Sequence, residues 1–462
     1  MNGAATIDIA EAIENRKLGG FAIRLILVSW LVTFFDGFDM NVIAYTSKYL
    51  QASFALDAKM LGNVFSAAIL GTLLGGFLFG FLGDQMGRRP AILLATGSFA
   101  VLTLLTALAP NYHMLLLLRF LDGLALGGVL PLIWALNVEY TPKKSRSTVI
   151  TLIMLGYGIG VAAAGPTARA LVPHFGWASV FIFGGCASVV ATTLLALTLP
   201  ESLRYLTVKG GRDATIAKTL RQMKVETAAE PGTRYILSDE QAGPKSRFRI
   251  SQLFEGRLAW LTPLLWAAYF CSSVSTFFVS SWGPFVLEGL GFSPDHAAYL
   301  SSFNSLCSAT GGLLLMRFTD RYGPIAVAVL PLIAIPLLLT AGLAPISLSV
   351  FLVFSVSIAI FLGGSHYGII SIASIFYPSA IRANGAGWVS SVAKVGSVLG
   401  PLIGGFVLSS TLPVRQIYAL LAVCPTIYAA CILMIGWMEY RERRAARNAP
   451  TPDGPLLAAA RD

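Results

Sequence analysis

The chain has 462 residues, of which 55% are hydrophobic and only 12% are charged, and its mean hydropathy is +0.72. A soluble enzyme of this length carries roughly twice that share of charge, so the composition excludes an ordinary soluble protein and indicates one that crosses a membrane many times. The net charge of +10 does not indicate nucleic-acid binding, because the basic residues lie in short runs between apolar segments. All five cysteines lie within apolar stretches, without the spacing of metal ligands. We therefore expect no disulfide, metal site or cofactor.

Twelve apolar stretches are long enough to span a bilayer. The first six predicted spans are Leu25–Tyr45, Met60–Leu82, Ala91–Ala109, Met114–Val138, Val149–Ala168 and Trp177–Leu199. The second six are Ala259–Val286, Ala297–Met316, Ile325–Leu343, Leu348–Phe376, Gly385–Leu408 and Ile417–Met438. The sequence thus predicts an all-α membrane protein with an N-terminal half (1–199), a hydrophilic linker loop (200–258), a C-terminal half (259–438) and a disordered basic tail (439–462).

The positive charges predict the orientation of these spans. If both termini lie in the cytoplasm, the cytoplasmic segments hold 27 of the 33 Lys and Arg residues and the outer loops hold four. Such an asymmetry is typical of the positive-inside rule. We therefore expect a multi-pass protein of the bacterial cytoplasmic membrane with both termini inside.

Two acids, Asp36 and Asp39, interrupt the first predicted span. They share one helix face because they are three residues apart. An ionised side chain at this depth costs several kcal/mol unless it is paired, hydrated or protonated. Either the two acids fix helix packing through polar bonds, or they form a proton or substrate site.

The two halves repeat each other at a constant offset of 236 residues, which relates Asp84 and Gly87 to Asp320 and Gly323. The same offset relates Trp30 to Trp266, Phe34 to Phe270, Pro142 to Pro378, Arg146 to Arg382 and Gly160 to Gly396. Matches of rare residues in register across six spans indicate two parallel six-helix halves. In transporters built this way the substrate binds near the midplane, between the halves.

The motifs on this framework resemble a known family. The segment GFLGDQMGRR at residues 80–89, between the second and third spans, resembles the signature loop of the major facilitator superfamily, and RFLDGLALGG at 119–128 resembles its fourth-helix arginine motif. More narrowly, DGFD at 36–39, EYTP at 139–142, RANG at 382–385 and GP at 400–401 are similar to motifs of the aromatic acid/proton symporters. The resemblance covers essentially the whole chain, although the family more often has arginine where this chain has Lys394.

The resemblance and the positions of the charges give three groups of candidate residues. The proton-coupling group is Asp36, Asp39 and Arg119. The substrate-binding group is Lys394, His366, Tyr367, Trp266, Tyr269 and Phe270. The gating group is Asp84, Gly87, Arg88, Arg89, Glu139, Asp320 and Arg382.

Several of these candidates have a second interpretation. Arg119 either pairs with a first-span aspartate or forms a local pair with Asp122, one turn away. Lys394, near the middle of its span, either binds a substrate carboxylate or pairs with Asp36. His366 either recognises the substrate or is a satisfied polar residue of the helix bundle.

The resemblance implies a monomeric symporter, without a cofactor, that imports a monocyclic aromatic carboxylate such as benzoate or hydroxybenzoate together with protons. Three alternatives remain: a transporter of another organic anion such as a sugar acid or dicarboxylate, a transporter-like receptor, and a membrane enzyme. The enzyme is disfavoured because the sequence shows no nucleophile–base pair and no metal cluster.

Overall fold

The computed structural model describes residues 6–14, 19–210, 212–223, 233–237, 249–322, 324–378 and 381–448. The first six spans are the helices Gly20–Phe54, Ala58–Met86, Arg88–Thr106, Tyr112–Glu139, Arg146–Phe175 and Ala178–Thr198. The seventh to ninth are Leu258–Gly289, Pro294–Tyr322 and Val329–Leu343, the last preceded by a 3₁₀ turn, Pro324–Ala328. The tenth span consists of the α-helix Leu348–Ile358, the π-helix Ala359–Gly363 and the α-helix Gly364–Phe376. The eleventh span is the helix Arg382–Leu408. The twelfth consists of the helices Gln416–Leu421 and Val423–Asn448.

Each predicted span therefore corresponds to one helical unit. In the described residues, eleven of the twelve are apolar enough to cross a membrane by length and composition. The exception is the eighth span, Pro294–Tyr322, because four serines and Asn304 interrupt its apolar sequence between residues 301 and 308. We call the end of the bundle that carries residues 84–89 the inner end and the opposite end the outer end, following the orientation predicted from the charges.

The central segment differs from the loop that the sequence predicted. Its described part contains the helices Leu203–Lys209 and Asp213–Gln222, the strand Arg234–Ile236 and the 3₁₀ turn Ile250–Phe254. The strand pairs in parallel with Thr6–Asp8, which leads into the short helix Ile9–Glu14. Ile9, Leu206 and Leu220 are buried in one cluster with the N-terminal half, because Ile216 and Leu220 form an apolar face that the charge-rich composition conceals. The predicted tail also begins later, since the last helix continues to Asn448.

The internal repeat is visible in matching hydrogen bonds. Arg146 Nε donates to the carbonyl of Thr141 at 3.2 Å, and Arg382 Nε donates to the carbonyl of Tyr377 at 3.4 Å. Both members of the second pair follow those of the first by the predicted offset of 236 residues. Each half therefore closes the turn before its fifth helix in the same way.

Close helix contacts repeat at the same offset. Gly160 of the fifth span lies against the main chain of Phe34, and Gly396 of the eleventh lies against that of Phe270. A side chain on either glycine would collide with a backbone carbonyl. Small residues let the helix backbones approach in this way, as is common in membrane bundles.

The halves close against each other toward their outer ends. Lys48 Nζ of the first span forms an ion pair with Glu288 of the seventh at 2.7 Å, and Tyr45 Oη lies 3.2 Å from Ser302 Oγ of the eighth. Further contacts across the halves are the hydrogen bonds Ser280–Asn41 and Ser66–Val398 and the ion pair Arg169–Asp295. These contacts, as far as the described residues show them, lie in the outer part of the bundle.

Candidate functional site

A buried charge cluster lies inside the N-terminal half. Arg119 Nη1 is 2.9 Å from Asp39 Oδ2 and also 2.9 Å from Asp122 Oδ2. Thr103 Oγ1 lies 3.1 Å from Asp39 Oδ1 and 3.4 Å from Asp122 Oδ1, so its hydroxyl donates between the two carboxylates. Asp39 is 1% exposed, and Arg119 and Asp122 are fully buried. Both pairings considered for Arg119 therefore occur at once, with one cation between two acids.

Asp36 lies one turn further toward the inner end and has different surroundings. It is 3% exposed, and its Oδ2 atom accepts no hydrogen bond from the described residues. Gly37 next to it lies directly against the main chain of Tyr157, which brings the fifth span close to the first at this level. Tyr157 is near enough to both Asp36 and Tyr367 to interact with them electrostatically. Asp36 is thus a buried acid beside the interface between the halves, whereas Asp39 is fixed by its partners.

A cavity of about 340 Å³ lies between the halves, on the outer side of the bundle's middle. Its walls come mainly from the first, fifth, seventh, eighth and tenth spans. Tyr157, Phe277, His366 and Tyr367 present rings to it. His366 Nδ1 lies 3.0 Å from Ser272 Oγ, and its ring meets that of Phe277 edge to face at 6.4 Å. Such a wall, apolar with a few polar groups, suits a small aromatic molecule.

The tenth span owes the position of His366 in part to an irregular turn. The π-helix Ala359–Gly363 ends three residues before His366. A π turn widens the helix and changes the direction of the side chains that follow it, and such turns are frequent at functional sites. The sequence hints at this only through Gly363 and Gly364, which pack closely on Ser308 and Gly311 of the eighth span.

The other predicted ring-binding residues lie elsewhere. Trp266 stacks on Trp388 with 5.9 Å between ring centroids and meets Phe254 edge to face. The buried Tyr269 donates its hydroxyl to the carbonyl of Ile369, and Phe270 packs on the eleventh span. These three residues are not among those that line the cavity. Their predicted contact with substrate requires another conformation.

Lys394 projects from the eleventh span toward the second. Its Nζ lies 3.5 Å from the position that a Cβ on Gly76 would occupy, and the residue is exposed. In the part of the chain that the structure describes, no carboxylate pairs with it, so the alternative pairing with Asp36 is absent from this conformation. Lys394 is also not among the residues that line the cavity.

The signature loop, residues 84–89, is held by ion pairs and by the segment that follows the sixth span. Asp84 pairs with Arg88 at 2.9 Å. The main-chain N–H of Arg89 donates to Glu201 at 3.1 Å, and its guanidinium donates to the carbonyl of Ala196 at 2.9 Å. Gly87 has φ = 104°, a conformation that favours glycine.

The remaining gating candidates lie near this loop or at its counterpart. Glu139 accepts a hydrogen bond from Ser202, which also caps the helix Leu203–Lys209. Sequence reasoning missed Glu201 and Ser202, although a Ser that follows Pro-Glu at the end of an apolar run is a recognisable helix start. The side chain of Asp320 lies outside the described part of the chain.

Comparisons with known proteins agree with this architecture. The family model of the Major Facilitator Superfamily matches residues 29–300 and again residues 265–461. The chain is 32% identical to a gallate transporter of Pseudomonas putida over 95% of this chain and 97% of that protein. It is 28% identical to the 4-hydroxybenzoate transporter PcaK of Pseudomonas putida, again over 95% of this chain and 97% of that protein.

Solved structures show the same fold. The xylose transporter XylE from E. coli has a TM-score of 0.69 at 17% identity, with 90% of this chain and 98% of that chain covered. A bacterial homolog of the human lysosomal transporter Spinster has a TM-score of 0.66 at 18% identity, with 90% and 97% covered. The predicted resemblance is confirmed, as is the exclusion of an enzyme. The chain belongs to the Major Facilitator Superfamily of multi-pass membrane transporters.

Proposed function

We propose that the protein is a proton-coupled symporter that imports a monocyclic aromatic carboxylate. We place it, as a monomer, in the bacterial cytoplasmic membrane with both termini inside. The observation that carries this proposal is the buried acid Asp36, whose Oδ2 atom has no hydrogen-bond partner in the described residues and which interacts electrostatically with Tyr157, one of the aromatic residues of the cavity wall. The names of its relatives, gallate and 4-hydroxybenzoate transporters, agree with a substrate of this class.

The proposed coupling uses the difference between the two first-span acids. Asp39 accepts hydrogen bonds from Arg119 and Thr103, which compensate the cost of its burial. Asp36 has no such support, so a bound proton relieves the cost of burying its charge. A carboxylate that enters the cavity beside Tyr157 would be repelled by a negative charge on Asp36, which interacts with Tyr157. Loading the substrate therefore favours the protonated acid. One proton per monoanion makes transport electroneutral, and each further charge that crosses the membrane changes the free energy of transport by about 2.3 kcal/mol per 100 mV of membrane potential.

The proposed substrate-binding residues form two groups, one for the carboxylate and one for the ring. We propose that His366 and Tyr367 bind the carboxylate from the cavity wall, with Phe277 and Tyr157 against the ring. Lys394 completes this site when the halves close at the inner end and bring the eleventh span nearer to the first. In that same closed conformation the substrate also contacts Trp266, Tyr269 and Phe270.

Uptake of labelled 4-hydroxybenzoate into cells tests this function. We expect benzoate and gallate to compete, gluconate and succinate not to compete, and a protonophore to abolish accumulation. Competition by the aliphatic acids but not by benzoate would establish a transporter of other organic anions instead. Saturable binding without any flux in vesicles would indicate a receptor.

A further inference from the structure

A set of polar side chains lies in the outer part of the cavity, away from the residues considered so far. Ser280 Oγ of the seventh span donates to Asn41 Oδ1 of the first at 2.8 Å. Asn304 Nδ2 of the eighth span donates to Ser355 Oγ of the tenth at 2.8 Å. All four residues line the cavity, and no predicted role includes them.

The packing of the seventh and eighth spans brings two of these groups to the same level. Gly283 of the seventh span faces Ser301 of the eighth, with 3.6 Å between Ser301 Oγ and the place of a Cβ on Gly283. The two spans are consecutive and run in opposite directions. Ser280 lies three residues before Gly283, and Asn304 lies three residues after Ser301. Both steps lead toward the inner end, so Ser280 and Asn304 have the same depth.

Two unsatisfied atoms, one at this level and one a helical turn further out, indicate that this part of the cavity receives a polar ligand group. Asn304 Oδ1 and Ser301 Oγ are buried and accept or donate no hydrogen bond within the described residues. A buried polar atom without a partner costs about 1–3 kcal/mol, so such atoms usually have a role. The eighth span is also the least apolar of the twelve because of this face.

The distance to the proposed carboxylate site fits a ring hydroxyl. Ser280 lies eight residues beyond Ser272, the partner of His366, which is about 12 Å along a helix. A benzoate with a hydroxyl opposite its carboxylate spans roughly 6 Å between its outermost oxygens, and a hydrogen bond of about 2.8 Å at each end extends its reach to roughly 12 Å. Benzoate without the hydroxyl cannot reach both levels.

We propose that Asn41, Ser280 and Asn304 form a hydroxyl subsite, which selects aromatic acids that carry a hydroxyl opposite the carboxylate. The inference rests on the proposed function. A phenolic hydroxyl both donates and accepts, so it can donate to Asn304 Oδ1 and accept from the second N–H of Asn41, whose side chain Ser280 holds in place with its single proton. Because Asn41 and Asn304 belong to different halves, a hydroxylated substrate that bonds to both also strengthens the closure of the outer end.

The test compares two acids that differ only in the hydroxyl. In the purified full chain, the double variant Ser280→Ala/Asn304→Leu should raise the Kd of 4-hydroxybenzoate about tenfold and change that of benzoate less than twofold, since it removes the acceptor Asn304 and the hydroxyl that holds Asn41, and only the hydroxylated acid contacts this subsite. The parent should treat 2-hydroxybenzoate as it treats benzoate. Ser280→Thr, which keeps the hydroxyl, should retain the parent's preference.

Thr310→Val is the matched control. Thr310 is on the eighth span, as Asn304 is, and it is exposed and makes a hydrogen bond only within its own helix in the described contacts. It should change neither Kd. An equal change for both acids, or none for either, would overturn the hydroxyl subsite while leaving aromatic-acid transport intact. Failure of the parent to bind any of the three acids would remove the proposed function itself.

Discussion

At the scale of single residues, the two first-span aspartates differ in their partners. Asp39 shares Arg119 with Asp122, and replacing Asp39 removes the acceptor of the buried donors Arg119 and Thr103, at a cost of about 1–3 kcal/mol for each donor left without a partner. Asp36 has no comparable partner in the described structure. We therefore expect Asp39 to stabilise the fold of the N-terminal half and propose that Asp36 is the acid that takes up a proton.

Replacing Asp36 by Asn should uncouple transport without unfolding the protein. With one proton per substrate, a gradient of one pH unit is worth about 1.4 kcal/mol and sustains roughly tenfold accumulation, which should fall to unity in Asp36→Asn. Exchange of labelled for unlabelled substrate should persist. Asp39→Asn should instead lower the thermal unfolding temperature. If Asp36→Asn accumulates substrate normally, the proton site is elsewhere.

Lys394 should contribute to anion binding although it has no acid partner in this conformation. Lys394→Gln should weaken binding of the acid at least tenfold, because a hydrogen bond to a charged group is worth about 1.5–3 kcal/mol. Lys394→Arg keeps the charge and should retain binding. The neutral amide of the substrate should lose little in the Gln variant. If acid and amide change in the same ratio, Lys394 is a structural residue.

At this scale the sequence predicted the Asp39–Arg119 contact but not that Asp122 and Thr103 join the same cluster. Residues 36, 39 and 119 were recognisable because ionisable groups are rare in apolar spans. Thr103 and the cavity groups Asn41, Ser280 and Asn304 were not, since serine, threonine and asparagine are common in helices and only their packing shows which ones face the cavity. Tyr269 was expected there, but its depth in the C-terminal half depends on tertiary packing.

At the scale of elements, long apolar runs predicted the twelve spans, whereas irregular elements escaped prediction. The π turn at Ala359–Gly363 needs neighbouring helices to define it. The central segment looked like a loop because its charge hides the short apolar face of Asp213–Gln222. That segment supplies Glu201 to the signature loop, which joins the second and third spans to the end of the sixth.

Weakening the signature loop should slow the exchange of conformations more than it weakens binding. Arg88→Ala removes the partner of Asp84 and a cation near Glu139. We expect the uptake rate to fall severalfold while the Kd of the purified protein stays within twofold. Lys144→Ala, which removes a cation from the neighbouring inner loop, is the control. A parallel loss of rate and affinity would show that the loop is not a separate latch.

At the scale of the whole molecule, the repeated contacts at an offset of 236 residues define two similar halves, and the outer ion pairs join them. Lys48→Met should favour opening at the outer end. The Lys48–Glu288 pair is partly exposed, so its loss is worth about 0.2–1 kcal/mol and a severalfold population change at most.

Spin labels at Ala52→Cys and Ser293→Cys, in a background without the five native cysteines, would measure that change as a longer distance. Arg257→Met, which breaks an ion pair of the same 2.7 Å length between the inner ends of the seventh and twelfth helices, should leave the distance unchanged. An unaltered distance in Lys48→Met would show that the outer closure depends on the helix contacts alone.

The most direct measurement of the central claim is proton entry during substrate uptake in proteoliposomes that contain a pH-sensitive dye. Adding 4-hydroxybenzoate outside should acidify the lumen faster with the parent protein than with Asp36→Asn or with protein-free liposomes, which report the slow passage of the neutral acid. Substrate uptake by the parent with acidification no faster than in the two controls would contradict proton coupling through Asp36.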